Sequence, residues 1–442
     1  MNKLIIVAVL CLILTACVAV NPAPSDTGGG ESLNTSADEN ESMPINRQSE
    51  QERSEEPKMR NIVNYDYLKA IWVSQFDMNS VYVSGGGQRP KEDYVQKVTE
   101  IIENIASLGF NTIIYQIRPN GDSMYQSGYY PVSKYVAGGY GSKLSYDPVE
   151  VFVETAKRRG LSVHAWINPM RLMSPSELGA VKEGFILKDW YRQGKLPEVG
   201  GLLYLDVSRK EARDLIVSGA VEALEKYDFD GLHMDDYFYP TSDPSFDKAS
   251  FDASGEIDLV SFREDAINKL VSSLYRAVKD IDERLWYGIS PAGNLRTVVS
   301  TYFADVYAWC GSDGYIDYIL PQVYFGLLHG SCPFEQTVKD WAGIIKNNST
   351  KLYVGMSLGK AVSGSQGNED RYAVTNQGKR EWIENKDVIK RCLEFVNGYE
   401  KADGYCFFCY QYFYDPVSGR ENSYSRQEVE AMAPLVKQDK QT

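Results

Sequence analysis

Histidine is scarce in this 442-residue chain, with three in all. So few imidazoles cannot assemble a classical zinc cluster, and neither a metal nor an organic cofactor is expected. Basic charge is short as well: 46 Lys and Arg against 60 Asp and Glu leave a formal charge of −14. Phosphate backbones need a basic face, so no nucleic-acid partner is expected. A basic surface for anionic lipid is equally disfavoured. Paired cysteines are also lacking. Of seven Cys, Cys11 lies in an apolar leader and Cys17 at its end. The odd remainder, Cys310, Cys332, Cys392, Cys406 and Cys409, is no disulfide framework. Cys406-x-x-Cys409 has the spacing of a redox or zinc half-site, yet it sits in the apolar run YCFFCYQY. On a strand, positions three apart face opposite sides.

No apolar run comfortably spans a bilayer. The longest at the N-terminus, Leu4 to Leu14 after Lys3, has the length of a signal-peptide core. It ends in Leu14-Thr15-Ala16-Cys17, which resembles a bacterial lipobox. Residues 1–17 then form a signal cleaved before Cys17, and acyl chains on Cys17 hold the protein to the extracytoplasmic side of the cell membrane. Residues 18–62 are rich in Ser, Asn, Gly, Pro and acids and nearly empty of large apolar groups, the composition of a flexible tether. Residues 63–442 remain for the folded part.

What is present there is alternation. Short runs rich in β-branched and aromatic residues read as strands at 69–75, 111–118, 161–168, 229–236, 285–290, 316–324, 351–357 and 404–411. Helices lie between them. Pro90 opens one that Gly109 closes, Asp147-Pro148 starts another, and Ser208-x-x-Glu211 and Ser261-x-x-Glu264 have the form of capping boxes. A last helix runs from about Ser425 to Lys437. Eight strand-helix units without a glycine-rich phosphate loop predict an α/β fold, a (β/α)8 TIM barrel with long loops at its C-terminal face. The run LLYLD (202–206) predicts an extra short strand after strand 3.

Barrels place their chemistry at the strand C-termini. With period-two alternation, Gln116 and Arg118, then His164, Trp166 and Asn168, then His233 and Asp235, then Gln322 and Tyr324 point into one cavity. Such a polar layer is costly to bury without a wet pocket or a ligand. Arg171, Asn294 and Arg296 follow strand ends and join the substrate-binding candidates. The 31 Tyr and 7 Trp include rings suited to sugars, whose faces are apolar and edges polar. A glycosidase needs two carboxyl groups, and Asp235 and Asp236 are the sharpest acidic feature. Adjacent strand residues project oppositely, so Asp235 as nucleophile or base needs a partner. Glu211, Asp206 and Asp122 are open candidates, Glu211 also fitting a structural cap.

The segments NTIIYQIRPNGDSMYQS, VHAWINPMR, DGLHMDDYFYP, GISPAGNLR and IDYILPQVY resemble the bacterial glycosyl-hydrolase-like family 10 lipoproteins, the DUF187 group, over about Lys69 to Gln411. The resemblance implies a TIM-barrel glycosidase acting on cell-wall or other glycans. It carries over to Arg118, Asp122, His164, Asn168, Arg171, Asp235, Asp236, Tyr237, Tyr239, Asn294, Arg296, Gln322 and Tyr324. The chain departs from the family at LDVSRKEAR, where LDPG is frequent. The expected function is hydrolysis of O-glycosidic bonds in a polysaccharide, peptidoglycan strands being one substrate. A non-catalytic glycan-binding lipoprotein is the alternative, and a metal-dependent deacetylase using His233-x-Asp235 is a weaker third.

Overall fold

The computed structural model describes residues 60–235 and 238–438. Each predicted run supplies a strand buried on both sides, because helices cover the outside and side chains fill the inside. The strands are β1 (Leu68–Val73), β2 (Thr112–Arg118), β3 (Ser162–Ile167), β4 (Gly231–Asp235), β5 (Trp286–Ser290), β6 (Tyr318–Ile319), β7 (Lys351–Ser357) and β8 (Gly404–Phe408). Every neighbouring pair is parallel, and β8 pairs with β1 to close the barrel. The fold is a (β/α)8 TIM barrel. Strand β6 is far shorter than its apolar run. Pro321 has no N–H for the ladder, and beyond it only isolated bridges from Gln322 to Ala292 and Gly355 continue the pairing.

Local chemistry sets the helix ends. Lys91–Leu108 begins one residue after Pro90 and ends at Gly109, whose φ of 96° is left-handed. Pro148–Arg158 is capped by Asp147, whose carboxylate accepts from the Val149 and Glu150 amides. Neither expected capping box forms. Helix Lys210–Lys226 has Arg209 at its N-cap without a side-chain bond, because the Ser208 hydroxyl donates to Asp206 instead. Helix Leu259–Ile281 starts earlier than expected, since Asp258 accepts from Val260 and Ser261 and is itself a strong cap. In the excursion after β3, only Leu202–Leu203 of LLYLD is strand, paired antiparallel with Glu198–Val199.

The barrel interior holds a polar file. The Trp72 indole N–H donates to His233 Nε2 at 3.3 Å, which leaves the His233 proton on Nδ1, 3.0 Å from the Tyr318 hydroxyl. That hydroxyl then donates to His164 Nδ1 at 3.0 Å, and His164 Nε2 donates to Asn64 Oδ1 at 3.0 Å. Asn64 closes the barrel floor by donating to the carbonyls of Asp230 and Arg284. Every ring nitrogen is satisfied with both imidazoles neutral. Burial accordingly pushes His164 down to about 3 and His233 well below its ordinary value.

Tyr318 fits only because β5 carries glycine beside it. A Cβ on Gly288 would stand 2.1 Å from the Tyr318 ring. Gly288→Ala is expected to displace that ring, break both histidine bonds and lower stability by about 1–3 kcal/mol. A shift of the urea midpoint to lower concentration checks it.

Candidate active site

Asp235 is the last residue of β4. It shares its parity with the interior His233 and stands in register with Ser290 of β5. The residue is 7% exposed. Oδ1 accepts from Asn168 Nδ2 at 2.6 Å. Burial pushes the carboxyl up to about 7, against the Arg171 charge and the Asn168 bond, which favour the ionised form. Two buried donors near it lack partners: the Trp166 indole N–H and the Ser290 hydroxyl. The Trp166 N–H is near enough to favour the ionised Asp235 without completing a hydrogen bond. Buried polar atoms are rarely left unpaired, and unpaired donors beside a carboxyl mark a place for a ligand.

The C-terminal end of the barrel also carries an aromatic group from β1, β8 and the segment after β6. Tyr324 and Phe408 stack with centroids 6.0 Å apart, and each meets Trp72 edge-on. Gln322 donates to the Ser290 carbonyl at 3.3 Å. Arg171, half-buried, donates from Nε to the Pro119 carbonyl at 3.3 Å. Its charge acts on Asp122 as well as on Asp235.

Several candidates lie elsewhere. Arg118 does not enter the cavity. The register between β2 and β3 shifts at Gln116/Arg118, and this bulge sends Arg118 outward, 4.5 Å over the Tyr130 ring and against Gly219 of the neighbouring helix. His164 and His233 are fully buried with both ring nitrogens bonded, so neither reaches a substrate and His233 is not free to ligate a metal. Asp122 is fully buried in its own loop, where Oδ1 accepts from the Asn120 amide. Tyr239 is buried against Arg263, Phe246 and Phe303. Glu211 is an exposed residue of a helical first turn, 3.5 Å from Lys195, outside the hydrogen bonds that reach Asp235. Asp206 accepts from Ser208, Arg209 and Ser250 and ties its loop to helix Lys248–Ser254. Asn294 caps helix Leu295–Tyr302 by accepting from the Arg296 amide, and the Arg296 side chain is exposed. Cys409 lies past the end of β8, where alternation lapses, and joins Cys406 inside the barrel. Both thiols are free. Asp236, Tyr237 and Cys17 lie outside the described residues, as do the leader and nearly all of the tether.

Sequence reasoning missed Gln75, whose backbone reaches the site, and the weight of Ser290, which the β4–β5 register alone brings beside Asp235. It also missed the anchor of the loop after β4. Arg263 and Asp247, both wholly buried, form a bidentate pair at 2.7 and 2.8 Å. Arg263 also donates to the carbonyls of Thr241 and Asp243.

A parallel eight-stranded barrel with a buried carboxyl and aromatic rings at its C-terminal end has the frame of glycoside-hydrolase barrels. The chain belongs to the glycosyl hydrolase-like 10 family, whose sequence profile matches residues 67–374. It is 29% identical over 374 residues to the glycosyl hydrolase YngK of Bacillus subtilis, covering 77% of this chain and 69% of that one. It is 26% identical over 395 residues to the glycosyl hydrolase DigH of Escherichia coli K12, covering 81% and 86%. Among solved structures, the glycoside hydrolase domain of PgaB (BpsB) from Bordetella bronchiseptica superposes with a TM-score of 0.52 at 12% identity. That match covers 83% of this chain and 99% of the domain, and it shares the fold.

Proposed function

We propose that this protein is an exported, lipid-anchored glycosidase that cleaves O-glycosidic bonds in a polysaccharide, with peptidoglycan glycan strands as the substrate. The placement of Asp235 carries the reading: a buried carboxyl at the barrel rim, held on one oxygen and flanked by unpartnered donors. A carboxyl kept protonated near neutrality suits the general acid that protonates the leaving oxygen. This favours the acid role over that of nucleophile or base. Strand β4 ends at Asp235, so strand alternation does not bind Asp236, which is the proposed second carboxyl in preference to Glu211, exposed and paired with Lys195. The family and the names of its relatives support a glycan substrate. The Leu14-Thr15-Ala16-Cys17 sequence and the polar stretch after it support anchoring through Cys17.

Purified protein incubated with defined glycans, peptidoglycan strands included, is expected to release new reducing ends visible by mass spectrometry. Tight binding by calorimetry with no product after long incubation would overturn the proposal in favour of a glycan-binding lipoprotein.

A further inference from the structure

The bond from Asn168 to Asp235 is the last of an ordered series. Helix Gln75–Tyr82 begins directly after β1, and the Gln75 N–H in its first turn has no acceptor within the helix. It donates to Gln116 Oε1 at 2.7 Å. Gln116 Nε2 donates to Asn168 Oδ1 at 2.7 Å, and Asn168 Nδ2 donates to Asp235 Oδ1 at 2.6 Å. A backbone N–H can only donate, so it dictates which end of the Gln116 amide faces it. That choice dictates the orientation of Asn168 in turn. Turning either amide over would set N–H against N–H at a buried site. The peptide dipoles of the helix point the same way, positive end toward Gln116.

We propose that Gln116 is a positioning residue: through Asn168 it fixes Asp235 Oδ1 as a permanent acceptor, so the reacting proton resides on Oδ2. The inference rests on the reading of Asp235 as the reacting carboxyl. Oδ1 is engaged by a donor in either protonation state, so proton transfer to a substrate proceeds from the other oxygen. Arg171 is the charged group acting on Asp235 among the described residues. Asp77, further along the Gln75–Tyr82 helix, is turned away and accepts from Ser74 and the Gln411 amide. Neither changes when Gln116 is replaced.

Two variants of the full chain test this. Gln116→Met keeps the length and loses both hydrogen bonds, leaving Asn168 free to turn over. Gln116→Glu keeps the acceptor-donor order while the introduced carboxyl is protonated, and loses the donor when it ionises. Titration of the Asp235 carboxyl by NMR with isotope-labelled aspartate, assigned through Asp235→Asn, needs no substrate. In Gln116→Met the midpoint is expected to move up, because the ionised form loses a fixed donor. With a cleavable glycan, kcat is expected to fall about 10²-fold with KM little changed. Gln116→Glu is expected to match wild type at low pH and to resemble Gln116→Met once the new carboxyl ionises. An unchanged Asp235 midpoint in folded Gln116→Met, or a Gln116→Glu variant insensitive to its own titration, would overturn the proposal. If wild type cleaves no glycan, the reading of function fails, and the NMR titration still decides the relay.

Discussion

Asp235→Asn is expected to leave the barrel folded and to lower turnover about 10²- to 10⁴-fold, the usual contribution of a positioned general acid. Asparagine is nearly isosteric and still offers a carbonyl oxygen to Asn168, so the relay survives while the transferable proton is lost. The pH dependence follows from burial. The folded protein keeps the Asp235 proton up to about 7, whereas the ordinary value is 3.8. Activity that requires this proton falls along an alkaline limb with its midpoint near 7. Between those two pH values the folded state binds the proton that the unfolded chain has released. The stability contributed by the group is therefore complete at low pH and declines as pH rises through 7. Asparagine does not ionise, so the variant should melt with wild type at acid pH and above it at pH 8. Product analysis with thermal melts across pH checks both halves. Undiminished turnover would remove Asp235 from the chemistry.

Arg263→Leu is expected to cost about 3–5 kcal/mol of stability, because it strands the Asp247 carboxylate without its partner inside the protein. Arg263 is held by that bidentate pair and by two loop carbonyls. The rings of Tyr239 and Phe303 lie 4.9 and 4.8 Å from its guanidinium. These contacts gather residues 239–247, the segment that follows Asp235 and Asp236, onto helix Leu259–Ile281. The loss should therefore appear in turnover as well as in the urea midpoint. Adding Asp247→Leu removes the unpaired charge, so the double variant should recover most of the stability and little of the activity. A double variant no more stable than Arg263→Leu would refute the buried-charge explanation.

How legible each residue was follows from the range of its interactions. Asp235 ends β4 and Asn168 directly follows β3, where the period-two pattern runs on without interruption, so their inward direction could be read directly. Arg118 obeys the same pattern on paper, but the bulge at Gln116/Arg118 depends on how β2 meets β3. By parity His164 and His233 point into the cavity, deeper on adjacent strands, and so read as substrate-site residues that orient their neighbours. Their partners Asn64, Trp72 and Tyr318 come from 85 to 161 residues away. Arg263 was hidden in an ordinary amphipathic helix, since nothing nearby in sequence announces a buried cation.

The sequence by itself determined the eight-unit alternation, the barrel it closes into and the end of the barrel where chemistry gathers. These follow from local apolar period and helix punctuation, which act over a few residues. The tertiary structure alone decided which polar groups are free. It turned two histidines into a satisfied core file, took Arg118 and Glu211 away from the cavity, and joined Gln75, Gln116 and Asn168 into one polarity aimed at Asp235. Hydrogen-bond satisfaction is a property of groups brought together from distant strands, so no local pattern encodes it.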